Sequence, residues 1–141
     1  MDNENLKSIL LKCNNNNFLT YGFDKKSNYQ ILNLRKNLTS TTFDLKVSLI
    51  GSDAYKIKNI EVNLLGDHNV SNATASIAVA LNIGIKTGTI KKALKKFSGI
   101  QRRFTKIFSI NNADFYDDYA HHPTEIKALL NGTKDVYKKR K

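Results

Sequence analysis

A chain of 141 residues with an apolar fraction of 40% is long enough for one domain with a real core, or for parts of two. Its net charge of +11 invites a nucleic-acid reading, but the excess is mostly lysine and is accompanied by abundant asparagine. An AT-rich coding sequence produces the same inflation, so no specific nucleic-acid role is inferred. The single cysteine, Cys13, excludes an internal disulfide framework and suits a reducing compartment. No apolar run nears the roughly 20 residues of a membrane span, and the first residues show no signal peptide, so a cytoplasmic location away from membranes is expected.

In chain order, Leu6, Ile9, Leu10 and Leu11 form an apolar stripe at helical spacing, with Asp2 or Asn3 as its cap. An asparagine turn at 14–17 precedes a short strand at 18–21 that Gly22 closes. Segments 29–34, 42–50 and 57–65 are rich in Ile, Val, Leu, Thr and aromatics and read as strands, the last alternating only imperfectly. Turns fall at 25–28 and at Gly51-Ser52. The period then becomes helical: Val70, Ala73, Ile77, Ala80 and Leu81 share one face, the small residues Ser71, Ala75 and Ala78 allow close packing, and Gly84 ends the helix as a left-handed cap.

A second helix over 89–97 is expected to bury Ile90, Ala93, Leu94 and Phe97 and to turn Lys91, Lys92, Lys95 and Lys96 to solvent. Ser98-Gly99 breaks it, and a domain boundary is expected near 99–103. Strands at 102–110 and 113–116 flank the turn dipeptide Asn111-Asn112, and a last helix over 123–139 is expected to be interrupted at Asn131-Gly132.

Three stretches carry chemistry. In 66–73, Gly66 is read as ending a strand where a helix begins, so free N–H groups and the positive helix end converge. Asn69 and Asn72 lie on one face of that first turn with His68 beside them, a donor and acceptor set that matches an adenine edge. A capped helix with polar first-turn residues explains the same pattern equally well. In 99–104, the adjacent Arg102 and Arg103 point to opposite sides of an extended segment, one to a ligand's phosphate or ribose oxygens and one to an ion pair; a plain surface pair is the commoner case.

The third stretch, Asp117-Asp118-Tyr119-Ala120-His121-His122-Pro123-Thr124-Glu125, concentrates carboxylates, a phenol and imidazoles in one strand-to-helix turn, where ligands of α/β proteins bind. Pro123 fits the first helical position and Glu125 the third, which makes His122 the N-cap. Histidine is a poor cap by preference, and Ser, Thr, Asp or Asn would add roughly 1 kcal/mol, so the mismatch favours a functional role. Neighbouring histidines lack the i, i+4 spacing of a helical zinc pair and Cys13 has no second thiol, so no metal site is assigned.

Together with Thr20-Tyr21-Gly22-Phe23 and Gln101-Arg102-Arg103-Phe104, and in the same order, these motifs resemble the Mur ligase family along essentially the whole chain. The resemblance implies an α/β fold comprising the second half of the central ATPase domain, residues 1–100, and the beginning of the Rossmann-like C-terminal domain, residues 101–141. It implies ATP-driven joining of L-alanine to UDP-N-acetylmuramate with Mg²⁺, Gln101, Thr105 and Tyr119 leaning toward that branch. A recycling branch that attaches a murein tripeptide, or a basic nucleic-acid or nucleotide-binding module, are the alternatives.

By the same resemblance His68, Asn69 and Asn72 lie near the adenine, Arg103 near ribose or phosphate, and Asp118 near the ribose. Tyr119, His121 and His122 form the catalytic lining of the closing cleft. The chain departs from the family in having no Gly-Lys-Ser or Gly-Lys-Thr phosphate loop and no UDP-binding domain. An internal piece of such an enzyme is therefore expected, inactive alone, with the missing amino-terminal half as partner.

Overall fold

The β-type segments become an antiparallel meander of β2 (Tyr29–Lys36), β3 (Thr41–Val47) and β4 (Tyr55–Val62) in the computed structural model, which describes residues 4–10, 12, 18–99 and 104–136. Asp2, Asn3, Leu11, Cys13, residues 14–17, 100–103 (with Gln101, Arg102 and Arg103) and 137–139 lie outside the described residues. A short helix, α1 (Glu4–Leu10), comes first. Strand β1 (Tyr21–Gly22) pairs in parallel with the start of β2, Tyr21 opposite Tyr29. It is shorter and later than the strand expected at 18–21. The Asn28 side chain accepts the Thr20 N–H at 2.9 Å and donates to the Ser48 carbonyl at 3.0 Å, taking up backbone groups that a longer strand would pair.

The register sets Ile31, Leu45 and Ile57 side by side, and Phe43 opposite Ile60, on one buried face. Helix α2 (Asp67–Asn82) lays Val70, Ala73, Thr74 and Ile77 across that face, and α3 (Thr87–Lys96) adds Ile90. Each large apolar side chain sealed in this way contributes roughly 1.5–3 kcal/mol. At the far end of α2, Gly84 at φ +84° donates to the Leu81 carbonyl and Ile85 to the Ala80 carbonyl, the paired bonds of a Schellman stop, as the glycine predicts. Asn82 also donates to the buried Tyr29 hydroxyl at 2.8 Å; burial raises that phenol's pKa above its ordinary value, and the Asn82 bond partly offsets the rise.

The imperfect alternation of β4 has a definite cause. Ile57 and Ile60 both reach the core although three residues apart, because β3 and β4 slip register between Phe43 and Leu45 and Asn59 takes φ +54°. A second slip, between Leu32 and Arg35, places Asn33 at φ +50°. Asp44 staples both bulges: its carboxylate accepts the Asn33 amide and the Asn59 N–H, each at 2.8 Å, with Arg35 at 3.6 Å. The Asn33 bond first, then the Asn59 N–H and Arg35, hold the buried Asp44 carboxyl below the usual carboxylate range.

Helix α3 corrects two expectations. Ala93 and Phe97 are exposed rather than buried, because they form the wall of an open groove. Two of the lysines also turn back to the sheet: Lys91 Nζ donates to the Lys58 carbonyl at 3.0 Å and Lys95 pairs with Glu61 at 2.9 Å, so α3 covers the edge of β4.

Beyond the sheet, β5 (Thr105–Ile110) and β6 (Ala113–Asp117) form a hairpin whose turn residues, Asn111 and Asn112, both sit at positive φ as a type I′ turn requires. Helix α4 (Pro123–Val136) runs unbroken through Asn131-Gly132, contrary to the expected interruption. A glycine in a helix costs only about 1 kcal/mol, and here Gly132 faces Gly66, whose Cα lies 3.8 Å from the point a Cβ on Gly132 would occupy. Among the described residues no helix is long and apolar enough to cross a membrane.

Candidate functional site

Strand β4 stops at Val62, so Gly66 does not end a strand; residues 63–65 form a short connector and Gly66 is the N-cap of α2. Its φ of +92° and ψ of +143° belong to a region essentially reserved for glycine. A Cβ there would stand 2.8 Å from His68 Cε1 and 2.9 Å from Nδ1, so the missing side chain makes room for the His68 ring. Asn69 donates from its amide to the Leu65 carbonyl at 2.8 Å and so closes the connector onto the helix.

The 117–125 turn faces this helix start. Asp118 organises it: one carboxylate oxygen accepts the Phe104 N–H and the other the Ala120 N–H, both at 2.7 Å. Phe104 is held at φ +52° and stacks on Tyr116 at 4.3 Å, so the chain leaving 100–103 is tied to the turn. Tyr119 meets the His121 ring edge-on at 5.0 Å, and His121 Nδ1 lies 3.1 Å from the Tyr119 carbonyl oxygen and 3.7 Å from Glu125 Oε2. His122 accepts the first helical bond, from Ile126 N–H at 3.0 Å, and its Nδ1 accepts the Thr124 N–H at 3.3 Å. The poor cap of the sequence reading is thus the cap in use, and the mismatch is no argument for chemistry at that ring.

Between the two segments lies a cleft of about 390 Å³ lined by His68 and Asn72 from α2 and by Asp118, Ala120, Thr124, Glu125, Ala128 and Leu129. It brings together His68, Asn72 and Asp118. It does not include Tyr119, His121 or His122, of which Tyr119 and the two histidines are exposed on the same turn. Asn69 instead lines a neighbouring apolar groove of about 430 Å³ with Val62, Leu64, Ala73, Leu94 and Phe97, and Asn72 borders both spaces. A larger hollow of about 530 Å³, between the β2–β3 turn and Gly66, carries little chemistry beyond Lys36, which pairs with Asp67 at 2.9 Å.

The reading from sequence missed Thr124, Ala128 and Leu129 as lining and took Glu125 for a capping residue only. Their i, i+4 spacing on α4, 124 to 128 and 125 to 129, was the available signal. Among the described residues no three His, Cys, Asp or Glu side chains converge in a way that could hold a metal ion.

Residues 1–80 match the Mur ligase middle domain, and residues 102–141 match the Mur ligase, glutamate ligase domain. The chain belongs to the Mur ligase family. This Mur ligase chain is 49% identical over 138 residues to the UDP-N-acetylmuramate–L-alanine ligase of Pelagibacter ubique, covering 98% of the chain and 30% of that protein. It is 34% identical to the enzyme of the same name from Brucella anthropi, over 99% of the chain and 30% of that protein. Among solved structures, the UDP-N-acetylmuramate–alanine ligase of Thermotoga maritima superposes with a TM-score of 0.71 at 30% identity, over 85% of this chain and 27% of that one. A murein peptide ligase of Psychrobacter arcticus gives 0.54 at 32% identity, over 86% and 24%. The Mur ligase chain therefore spans about 30% of the length of the curated relatives it matches.

Proposed function

We propose that this chain is part of an ADP-forming ligase that joins L-alanine to UDP-N-acetylmuramate in the cytoplasm. In this reading, residues 1–100 belong to the central ATP-binding domain and 101–141 open the C-terminal domain. The observation that carries the proposal is the 49% identity to an alanine-adding ligase along 98% of the chain. ATP, when bound, supplies the activation of the muramoyl carboxylate that lets the alanine amine form an amide.

The cleft suits the nucleoside end of ATP. Asn72 offers an amide to a base edge and His68 an imidazole beside it, while Asp118 keeps acceptor capacity for a ribose hydroxyl beyond its two backbone bonds. No lysine or arginine lines the cleft among the described residues, and the chain has no Gly-Lys-Ser or Gly-Lys-Thr segment. The triphosphate and Mg²⁺ are accordingly assigned to residues outside this chain, with Arg103 reaching ribose or phosphate. Asn69 supports the helix start beside the base, and Tyr119 and His121 face the substrate side of the turn.

The test is an alanine-ligation assay with MgATP and UDP-N-acetylmuramate. The full chain alone gives no product; co-expression with the phosphate-loop portion of such a ligase restores it. Product from the chain alone would overturn the division of the site proposed here. The similarity to a murein peptide ligase favours a second reading, and the same assay with a tripeptide in place of alanine separates the two.

A further inference from the structure

We propose that His122 is a positioning residue: its imidazole is the working N-cap of α4, and it sets the turn that presents Tyr119 and His121 on one side and Thr124 and Glu125 on the other. Four contacts define a reciprocal capping box. Ile126 N–H bonds to the His122 carbonyl at 3.0 Å, which places His122 at the N-cap position. Thr124 N–H, two residues into the helix, bonds to His122 Nδ1 at 3.3 Å. Glu125 Oε2 returns to the backbone N–H groups of both His121 and His122, each at 3.3 Å. Pro123 has no N–H to satisfy, so the ring and the carboxylate together serve the orphan donors of this helix start.

The neighbouring histidine does something different. The His121 ring sits edge-on to Tyr119 and its side chain is 70% exposed, so one imidazole anchors and the other is displayed. The capping role needs a lone pair on His122 Nδ1, hence a neutral ring protonated at Nε2. Protonation would point an N–H at the Thr124 N–H and set a positive charge at the positive end of the helix. Glu125 and His121 beside the ring, Asp118 in the same turn and His68 across the cleft are the other charged or polar groups at this helix start. The diagnostic is therefore the difference between variants.

The experiment follows amide hydrogen exchange and ring-to-ring NOEs in the isotope-labelled full chain. His122→Ala lowers Thr124 amide protection about fivefold, the usual loss on replacing a cap by alanine, and removes the Tyr119–His121 NOE. His122→Asn, whose side-chain oxygen can accept the same bond, restores both. His121→Ala leaves Thr124 protection unchanged. Should His122→Ala not fold, His122→Asn decides: protection near that of the natural chain supports the role. Asn behaving like Ala, or an unchanged Thr124 amide in His122→Ala, would each overturn it.

Discussion

The sheet with α2 and the hairpin with α4 are built from equally well patterned sequence, yet only the first has a core. Every buried hydrophobic side chain among the described residues falls between Tyr29 and Ile90, whereas Ile107, Phe108, Ile110, Phe115, Ile126 and Leu130 all stay at least 42% exposed. In β2 to β4 the alternation that makes an apolar face meets α2, which closes it. In the hairpin, Phe108 and Phe115 stack at 4.4 Å across the strands, but no second layer lies over them among the described residues. Patterning creates a face; a facing element decides whether that face stabilises anything. The carboxy-terminal part is held by a few tethers instead, chiefly Asp118 onto Phe104 and Ala120, and the approach of Gly132 to Gly66. Such segments open locally at low free energy.

The largest expected effect comes from the pair Phe43→Ala and Phe115→Ala. Phe43 is fully buried, and its truncation costs about 3–5 kcal/mol in urea unfolding. Phe115 is 45% exposed, and its truncation costs less than about 1 kcal/mol. Equal losses would break the contrast between the two regions. Next, Gly66→Ala imposes a strained φ and drives a methyl into the His68 ring, at a cost of about 2 kcal/mol. It should also shift the His68 ring resonances and those of Leu129, which lines the same small cavity, and so ties the effect to the junction between the regions.

Asp44→Asn costs about 1–2 kcal/mol, since one bulge loses its acceptor. Because the folded Asp44 carboxyl titrates below its ordinary value of 3.8, its stabilisation is present above that pH and is lost as acid passes through the lower folded value. Unfolding midpoints measured from neutral pH into acid should show this limb in the natural chain and its loss in Asp44→Asn. An unchanged limb would mean that other carboxylates carry it.

Much of this arrangement was legible in the residues alone. Strands β2 and β3, both faces of the Asn111-Asn112 turn and the core stripe of α2 follow from local period and turn chemistry, which act over a few residues. Three features did not. Asn59 shifts the phase of β4 only because Asp44, fifteen positions earlier, bonds its N–H. Gly132 stays helical beside Gly66, a contact no local signal announces. Ala93 and Phe97 have the spacing of buried residues but find a groove opposite them. At the site, the 66–73 and 117–125 segments were recognisable by residue type. Which of their side chains enter the cleft depended on how α4 lies against α2, and the capping ring of His122 ran against residue preference.

The two ammonium groups that α3 lends to β4 have a consequence for assembly. Lys91 occupies a main-chain carbonyl of the outer strand and Lys95 pairs with Glu61 beside it, so a visiting strand meets lysine side chains on that flank and one acceptor fewer. Lysines on an edge strand discourage the ladder from extending there. The opposite edge of the sheet is β1, where Tyr21 and the nearby Phe23 are exposed.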